Sequence, residues 1–174
     1  TKYMLVPGAE QPLPFAGGLG PAWFVDDVTW VGSAEEEIAG ILGLNPAVQA
    51  VVHSEFQETL SQVNAPGARD VALVVYHPVG SSYKVNSQHG GLLVLSEVHY
   101  PMGWTATVDG EAVPLVRVNY VLSGLEVPAG EHEVQLTFEP QGWGTAKMLS
   151  RAGSLLLAAL LGLSIRFGSR ESQG

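Results

Sequence analysis

From Asp70 to Pro140 the chain is a series of short runs, "DVALVVYH", "SYKVNSQH", "GLLVLSEVHY", "WTATVD", "AVPLVRVN", "VLSGLEV" and "HEVQLTFEP". Turn residues separate them roughly every ten positions, which prescribes an antiparallel sandwich or barrel rather than strand–helix–strand units. In the last run Val134, Leu136 and Phe138 alternate with Glu133, Gln135 and Thr137. One face of that sheet is therefore buried and the other meets water. Between "TATV" and "AVPLV", Asp109 and Gly110 form a favoured type I′ hairpin pair, because both tolerate positive φ. Trp104 then begins the first of these strands and packs inward. The fold class expected is mainly β: an antiparallel, Ig-like or jelly-roll-like sandwich.

Upstream, "LPFAGGLGP" reads as a Gly/Pro-rich connection and "AWFVDDVTWV" as a strand interrupted at Asp26 and Asp27. Ser33 and Glu36 have the spacing of a capping box, and Glu35 to Glu37 suit the positive end of a helix dipole, so a short helix is predicted near 34–42. A turn at Asn45 and Pro46 leads into a strand near Ala50 to His53. The opening "TKYMLVP" reads like the middle of a strand, which suggests a piece of a longer protein.

The end of the chain has a different character. Between Arg151 and Arg166 no residue is charged, a stretch of about 14 residues or roughly 21 Å of helix, against a bilayer core of about 30 Å. Snorkelling by Lys147, Arg151 and Arg166 extends the reach, and the leucines from Leu155 to Leu163 leave no polar face. A terminal membrane helix is expected over 141–167, with Trp143 at the interface and a polar tail at 168–174. Basic residues lie on both sides of it, so charge does not choose an orientation. The expected organisation is an incoming strand and connection at 1–22, a β-sandwich at 23–140, then this helix and tail.

With a formal net charge of −9 and only 8 Lys and Arg in 174 residues, the chain is not built to bind nucleic acid. The absence of cysteine removes disulfides, thiolate metal sites and cysteine nucleophiles together. Five histidines occur, at 53, 77, 89, 99 and 132, and none has the spacing of a helical zinc motif. His77, His89 and His99 lie in or beside strands of one half of the chain, where the ordinary reading is separate surface histidines. No serine sits in a Gly-x-Ser-x-Gly elbow, and no Gly-rich loop ends in Lys-Ser or Lys-Thr, so nucleophilic and nucleotide chemistry both fail. A glycosidase needs two carboxyl groups facing each other across a cleft. Asp26 and Asp27 are adjacent strand residues that point to opposite faces, and Asp109 turns a hairpin. Trp23, Trp30, Trp104 and Trp143 with Tyr100 and Tyr120 are the aromatics available for sugar stacking, a role that competes with core packing.

The run "LLVLSEVHYPMGWTATVDGEAVPLVRVNYVLSGLEVPAGEHEVQLTFEP" resembles the carboxy-terminal extracytoplasmic region of the YfhO family of bacterial multi-spanning membrane proteins. Its marks are a strand ending in Ser-Glu, Tyr-Pro then Gly-Trp, Asp-Gly-Glu, Arg-x-Asn-Tyr and Val-Pro-Ala-Gly. "TKYMLVP", "GPAWFVDDVTWV" and "NPAVQAVV" also fit the family's order. One departure is Ser123 and Gly124, where the pattern has Arg and Ala. The resemblance implies a bacterial cell-membrane protein with this β-domain on the extracytoplasmic side, similar to glycosyltransferases that use a polyprenyl-phosphate-linked sugar. The catalytic acid of such enzymes is expected in an early loop between membrane helices, so no catalytic residue, metal ligand or cofactor site is carried onto this chain. The expected partners are the membrane through the terminal helix, the remaining membrane domain of the parent, and a glycan or lipid-linked sugar. Trp104, Arg117, Asn119 and Tyr120 are the candidate glycan contacts. A structural or protein-interaction module without glycan binding is the alternative.

Overall fold

The computed structural model describes residues 3–4, 11, 13–14, 17–61, 63, 66–140 and 142–171. The chain divides into two compact units, Thr1–Phe138 and Glu139–Gly174. The expected incoming strand and connection at 1–22 lie partly outside the described residues. Within them, β1 (Tyr3–Met4) pairs antiparallel with β2 (Leu13–Pro14).

The predicted strand "AWFVDDVTWV" is two strands. β3 (Ala22–Phe24) and β4 (Asp27–Val31) are separated only by Val25 and Asp26. After β4 the chain enters α1 (Ala34–Ile41), capped by Ser33, whose hydroxyl accepts the Glu36 N–H at 3.2 Å. The Glu36 carboxylate returns to accept the Gly32 N–H at 2.8 Å, so two free donors at the helix start are satisfied. β5 (Gln49–His53) then pairs parallel with β4. Parallel neighbours require a crossover, and α1 supplies it. This corrects the purely antiparallel, Ig-like or jelly-roll-like expectation: at β4–α1–β5 a strand–helix–strand unit is built into an otherwise antiparallel fold.

A single 3-10 turn (Ser54–Phe56) follows, and the remaining strands are β6 (Arg69–His77), β7 (Gly80–Ser87), β8 (Gly91–Val98), β9 (Trp104–Val108), β10 (Glu111–Val113), β11 (Val116–Val118), β12 (Leu122–Val127) and β13 (Gly130–Phe138). With β3, β4 and β5 they form a five-stranded antiparallel sheet of order β10-β9-β13-β7-β6 and a six-stranded sheet of order β3-β8-β12-β11-β5-β4. The two edge strands of the larger sheet, β3 and β4, are joined by two residues. That sheet must therefore curl until its edges meet. At the seam the Val25 N–H donates to Leu92 O at 3.2 Å and the Asp26 N–H to Val48 O at 2.7 Å. The buried Arg69 guanidinium clamps both sides, donating to Val25 O at 2.7 Å and to Asp26 Oδ1 at 2.8 Å.

Curling gives the larger sheet two buried faces. Inside lie Val25, Val28, Ala50, Val52, Leu92 and Val94 with Val116 and Val118. The interior is crowded enough that a Cβ on Gly124 would come within 2.6 Å of the Val118 side chain. Outside, Phe24, Leu93, Leu95, Leu125 and Val127 meet Tyr83, Val85, Val134 and Leu136 of the five-stranded sheet. The five-stranded sheet keeps the expected alternation, with Val134 and Leu136 buried beside the exposed Glu133, Gln135 and Thr137. Its edge strand, β6, is different: Leu73, Val74, Val75 and Tyr76 are all exposed, and Val74 is the extra residue of a bulge. Such a bulge twists an edge away from further pairing.

The second unit carries α2 (Trp143–Glu171), 29 residues long. Its length is sufficient for a bilayer, but among the described residues no helix is long and apolar enough to cross a membrane. The terminal spanning helix expected at 141–167 is therefore not supported. Lys147, Ser150, Arg151 and Ser154 interrupt the first half of α2, diluting an apolar run that a span would need unbroken. Leu155, Leu156, Leu157 and Leu160 are nonetheless exposed. The Trp143 side chain, expected at the membrane interface, lies outside the described residues.

Candidate functional site

The densest group of chemically useful side chains surrounds the β9–β10 hairpin. Glu111 pairs with Val108, leaving Asp109 and Gly110 as a two-residue loop with φ of 52° and 86°. Both angles are those of the expected type I′ turn. Asp109 does more than turn the chain. Its Oδ1 accepts the Glu133 N–H at 2.8 Å, and its Oδ2 lies 2.6 Å from His132 Nδ1. The other ring nitrogen of His132 lies 3.2 Å from Ala129 O. A carboxylate and a carbonyl oxygen can only accept, so both contacts are hydrogen bonds at once only in the imidazolium form. The bond to Asp109 accordingly raises the His132 pKa above the ordinary 6.5, against a smaller opposing effect of burial. The His132 bond, followed by the Glu133 N–H, holds the Asp109 carboxyl below its ordinary 3.8.

A cleft of about 490 Å³ opens on one side of this pair, lined by Thr59, Leu60, Asp109, Glu111, Glu126 and His132 among others. A second, of about 340 Å³, includes Asp70, Lys84, Asn86, Glu131 and Glu133. The carboxylates and imidazole superficially suit acid–base work, but His132 is hydrogen-bonded through both ring nitrogens and each Glu126 oxygen accepts from Ser61, at 2.6 and 2.7 Å, so both side chains are held by the fold. The Asp109–His132 pair is a pin between the β9–β10 turn and the start of β13. Its sign with pH follows from the two shifts. The His132 contribution is complete below pH 6.5 and disappears as pH rises through its raised pKa; that of Asp109 is present above pH 3.8 and disappears as pH falls through its lowered one. His132→Gln should therefore destabilise the domain most from about pH 4 to 6.5. Urea midpoints of both proteins across a pH series should converge as pH rises through the raised His132 pKa.

The four candidate glycan contacts come from two different sheets. Trp104 begins β9 in the five-stranded sheet and packs on Phe138, with ring centroids 4.9 Å apart. Arg117, in β11, and Asn119 and Tyr120, in the β11–β12 turn, lie together in the other sheet; the Arg117 and Asn119 side chains and the Tyr120 backbone are engaged internally, while the Tyr120 side chain is exposed. Arg117 Nη2 pairs at 3.1 Å with Glu37, which is completely buried. The Tyr120 N–H donates to the other Glu37 oxygen at 2.8 Å, and Asn119 Oδ1 accepts the Val51 N–H at 2.8 Å. Asn119 and Tyr120 both have positive φ, 49° and 68°, which is unusual for an aromatic residue. The bond to Glu37 and the Arg117 guanidinium, 5.9 Å from the Tyr120 ring centre, hold that turn in place. Beside it, burial keeps His99 below the usual imidazole range, with the Arg117 charge assisting and Glu55 opposing.

Sequence reasoning assigned Glu37 only to the helix dipole and gave Arg69 no role. Each is the charged half of an ion pair with a residue far along the chain. Local spacing offered no signal for either. The remaining candidates disperse. His77 lies at the β6–β7 turn and His89 in the turn before β8, and those turns are at opposite ends of the paired strands. No group of three or more His, Asp or Glu that could hold a metal occurs among the described residues. Trp23 and Trp30 pack on the inner core, with Trp23 Nε1 donating to Pro46 O at 2.7 Å. Asp26 is held by Arg69, and neither it nor Asp27 lines the cleft containing Asp109.

Residues 44–150 match the family model described as Bacterial membrane protein YfhO. No curated protein and no solved structure matches the chain.

Proposed function

The chain belongs to the YfhO family of bacterial membrane proteins, and from that premise we propose that it is the carboxy-terminal extracytoplasmic β-domain of a polytopic envelope protein of polyprenyl-phosphate-sugar-dependent glycosyltransferase type. In this reading the domain is a non-catalytic scaffold, and the exposed leucines of α2 associate with the bilayer. The observation that carries the scaffold role is the engagement of the candidate binding groups with their own fold. The Arg117 and Asn119 side chains and the Tyr120 backbone N–H are bonded to Glu37 and Val51, and both nitrogens of His132 face oxygen acceptors. Groups committed in this way hold elements together; a ligand would have to displace those bonds.

Glycan or acceptor engagement is the second reading, and the open cleft bearing Asp109 and Glu111 favours it, because carboxylates accept from sugar hydroxyls. A glycan array probed with the chain, alongside Trp104→Ala and Tyr120→Ala, separates the two. The scaffold reading expects no retained glycan and a lowered Tm in both variants. Glycan binding that is lost in either variant while Tm stays unchanged would replace it with a sugar site.

A further inference from the structure

The domain has one apolar end and one acidic end. The β6–β7 turn, the β8–β9 connection and the β11–β12 turn are tied together by hydrogen bonds and ring contacts at the place where β13 finishes. The Phe138 N–H donates to Val79 O at 2.9 Å, the Phe138 ring meets those of Tyr100 and Trp104, and the His99 N–H donates to Val121 O at 2.8 Å. These three segments, 73–82, 98–104 and 119–121, contain no Asp, Glu, Lys or Arg. They present most of the exposed large apolar side chains of the described domain, Tyr76, Val79, Tyr100, Met102, Tyr120 and Val121 among them. Ile38, Leu42 and Val48, the exceptions, lie on α1 and on the connection to the start of β5.

At the other end of the same strands are Asp70, Asp109, Glu111, Glu131 and Glu133, at strand starts or hairpin turns. Single exposed apolar residues are ordinary on a soluble surface; a cluster of aliphatic and tyrosine side chains from three segments that carry no charge marks a contact, here flanked by Arg117, Glu55 and Glu139. Three observations say what covers it. The family is one of membrane proteins. The rim surrounds Phe138, after which the chain continues into the leucine-bearing α2. Tyrosine and aliphatic groups without charge suit the boundary between headgroups and acyl chains, while the acidic end would be repelled by anionic headgroups.

We infer that the rim at 73–82, 98–104 and 119–121 rests in the interfacial layer of the lipid bilayer, with the flanking Glu55, Arg117 and Glu139 at headgroup level and the Asp109–Glu131 end pointing away from it. This rests on the reading that the chain is held at a membrane. It adds an orientation and a lipid contact for the β-domain that α2 alone would not give.

The absence of cysteine makes the test direct. An environment-sensitive fluorophore is attached to single-cysteine variants Val79→Cys and Met102→Cys on the rim, Glu131→Cys at the acidic end and Leu157→Cys on α2. Each is mixed with vesicles of phosphatidylethanolamine and phosphatidylglycerol, with and without brominated acyl chains. Blue-shifted emission and bromine quenching at positions 79 and 102, with neither at 131, are the expected result. Rim labels that stay in water while the label at 157 enters lipid would overturn the inference and leave the anchoring standing, assigning the rim to a protein surface. Labels in water at all four positions would overturn both.

Discussion

Glu37→Ala should lower the unfolding free energy by about 3 kcal/mol, the lower part of the range for removing one partner of a buried ion pair. Glu37 is completely buried and its two oxygens serve two different strand-end groups, the Arg117 guanidinium and the Tyr120 N–H. Removing it leaves Arg117 only Glu55, at 3.8 Å, and takes away the acceptor that holds the Tyr120 N–H in a left-handed turn. Arg117 is 31% exposed, so water recovers part of its solvation, which is why the lower end of the range applies. Glu37→Gln keeps an oxygen for the Tyr120 N–H but sets an amide NH2 against the Arg117 guanidinium, so it should spare the turn while losing the Arg117 bond and the charge. Urea unfolding of the two variants, with Arg117→Met and the double variant completing a cycle, measures the coupling directly. A loss below about 1 kcal/mol for Glu37→Ala would mean that the cluster is not what braces this turn, and would return Arg117 to the pool of side chains free to bind a ligand.

The same cluster marks how far the sequence could be read. Period-two alternation from Asp70 onward, the Ser33 cap and the Asp109-Gly110 turn are local, because each rests on residues within a few positions of one another. Those readings identified a mainly β chain with a short helix, and the motifs around the hairpins carried the family. What escaped was set by contacts across the chain. Glu37 meets Arg117 and Tyr120, and Arg69 meets Val25 and Asp26. In "AWFVDDVTWV" the alternation gave no sign that its two halves join opposite edges of one curled sheet. The parallel β4–β5 pair was missed because a short helix among many turn signals looked like an insertion rather than a crossover. At Asp109 the turn was legible, whereas its second role depends on His132, 23 positions away. For the candidate site, three of the four proposed contacts do cluster, but the buried Glu37 carboxylate holds Arg117 and the Tyr120 backbone, and Val51 holds Asn119.

Leu92→Ala and Leu93→Ala should each cost about 3 kcal/mol, within the range for truncating a buried leucine. In a sheet with one wet face only one of two consecutive residues points to the core, so one substitution would be nearly neutral. Here the curl of the six-stranded sheet gives β8 two dry faces. Leu92 belongs to the core inside the curl, and Leu93 to the core shared with the five-stranded sheet; both are fully buried. Each truncation therefore leaves a cavity in a different core, and because the cores have separate linings the two losses should nearly add in the double variant. Chemical denaturation of the two single variants and the double variant tests this. A Leu92→Ala loss under about 1 kcal/mol would mean that the inner face of the sheet is hydrated, and the two-core description would fail. Near-equal losses would establish that the strand bearing the sequence "GLLVL" is the wall between two cores, the position that fixes the five-stranded sheet, its apolar rim and its acidic end relative to the closed sheet behind them.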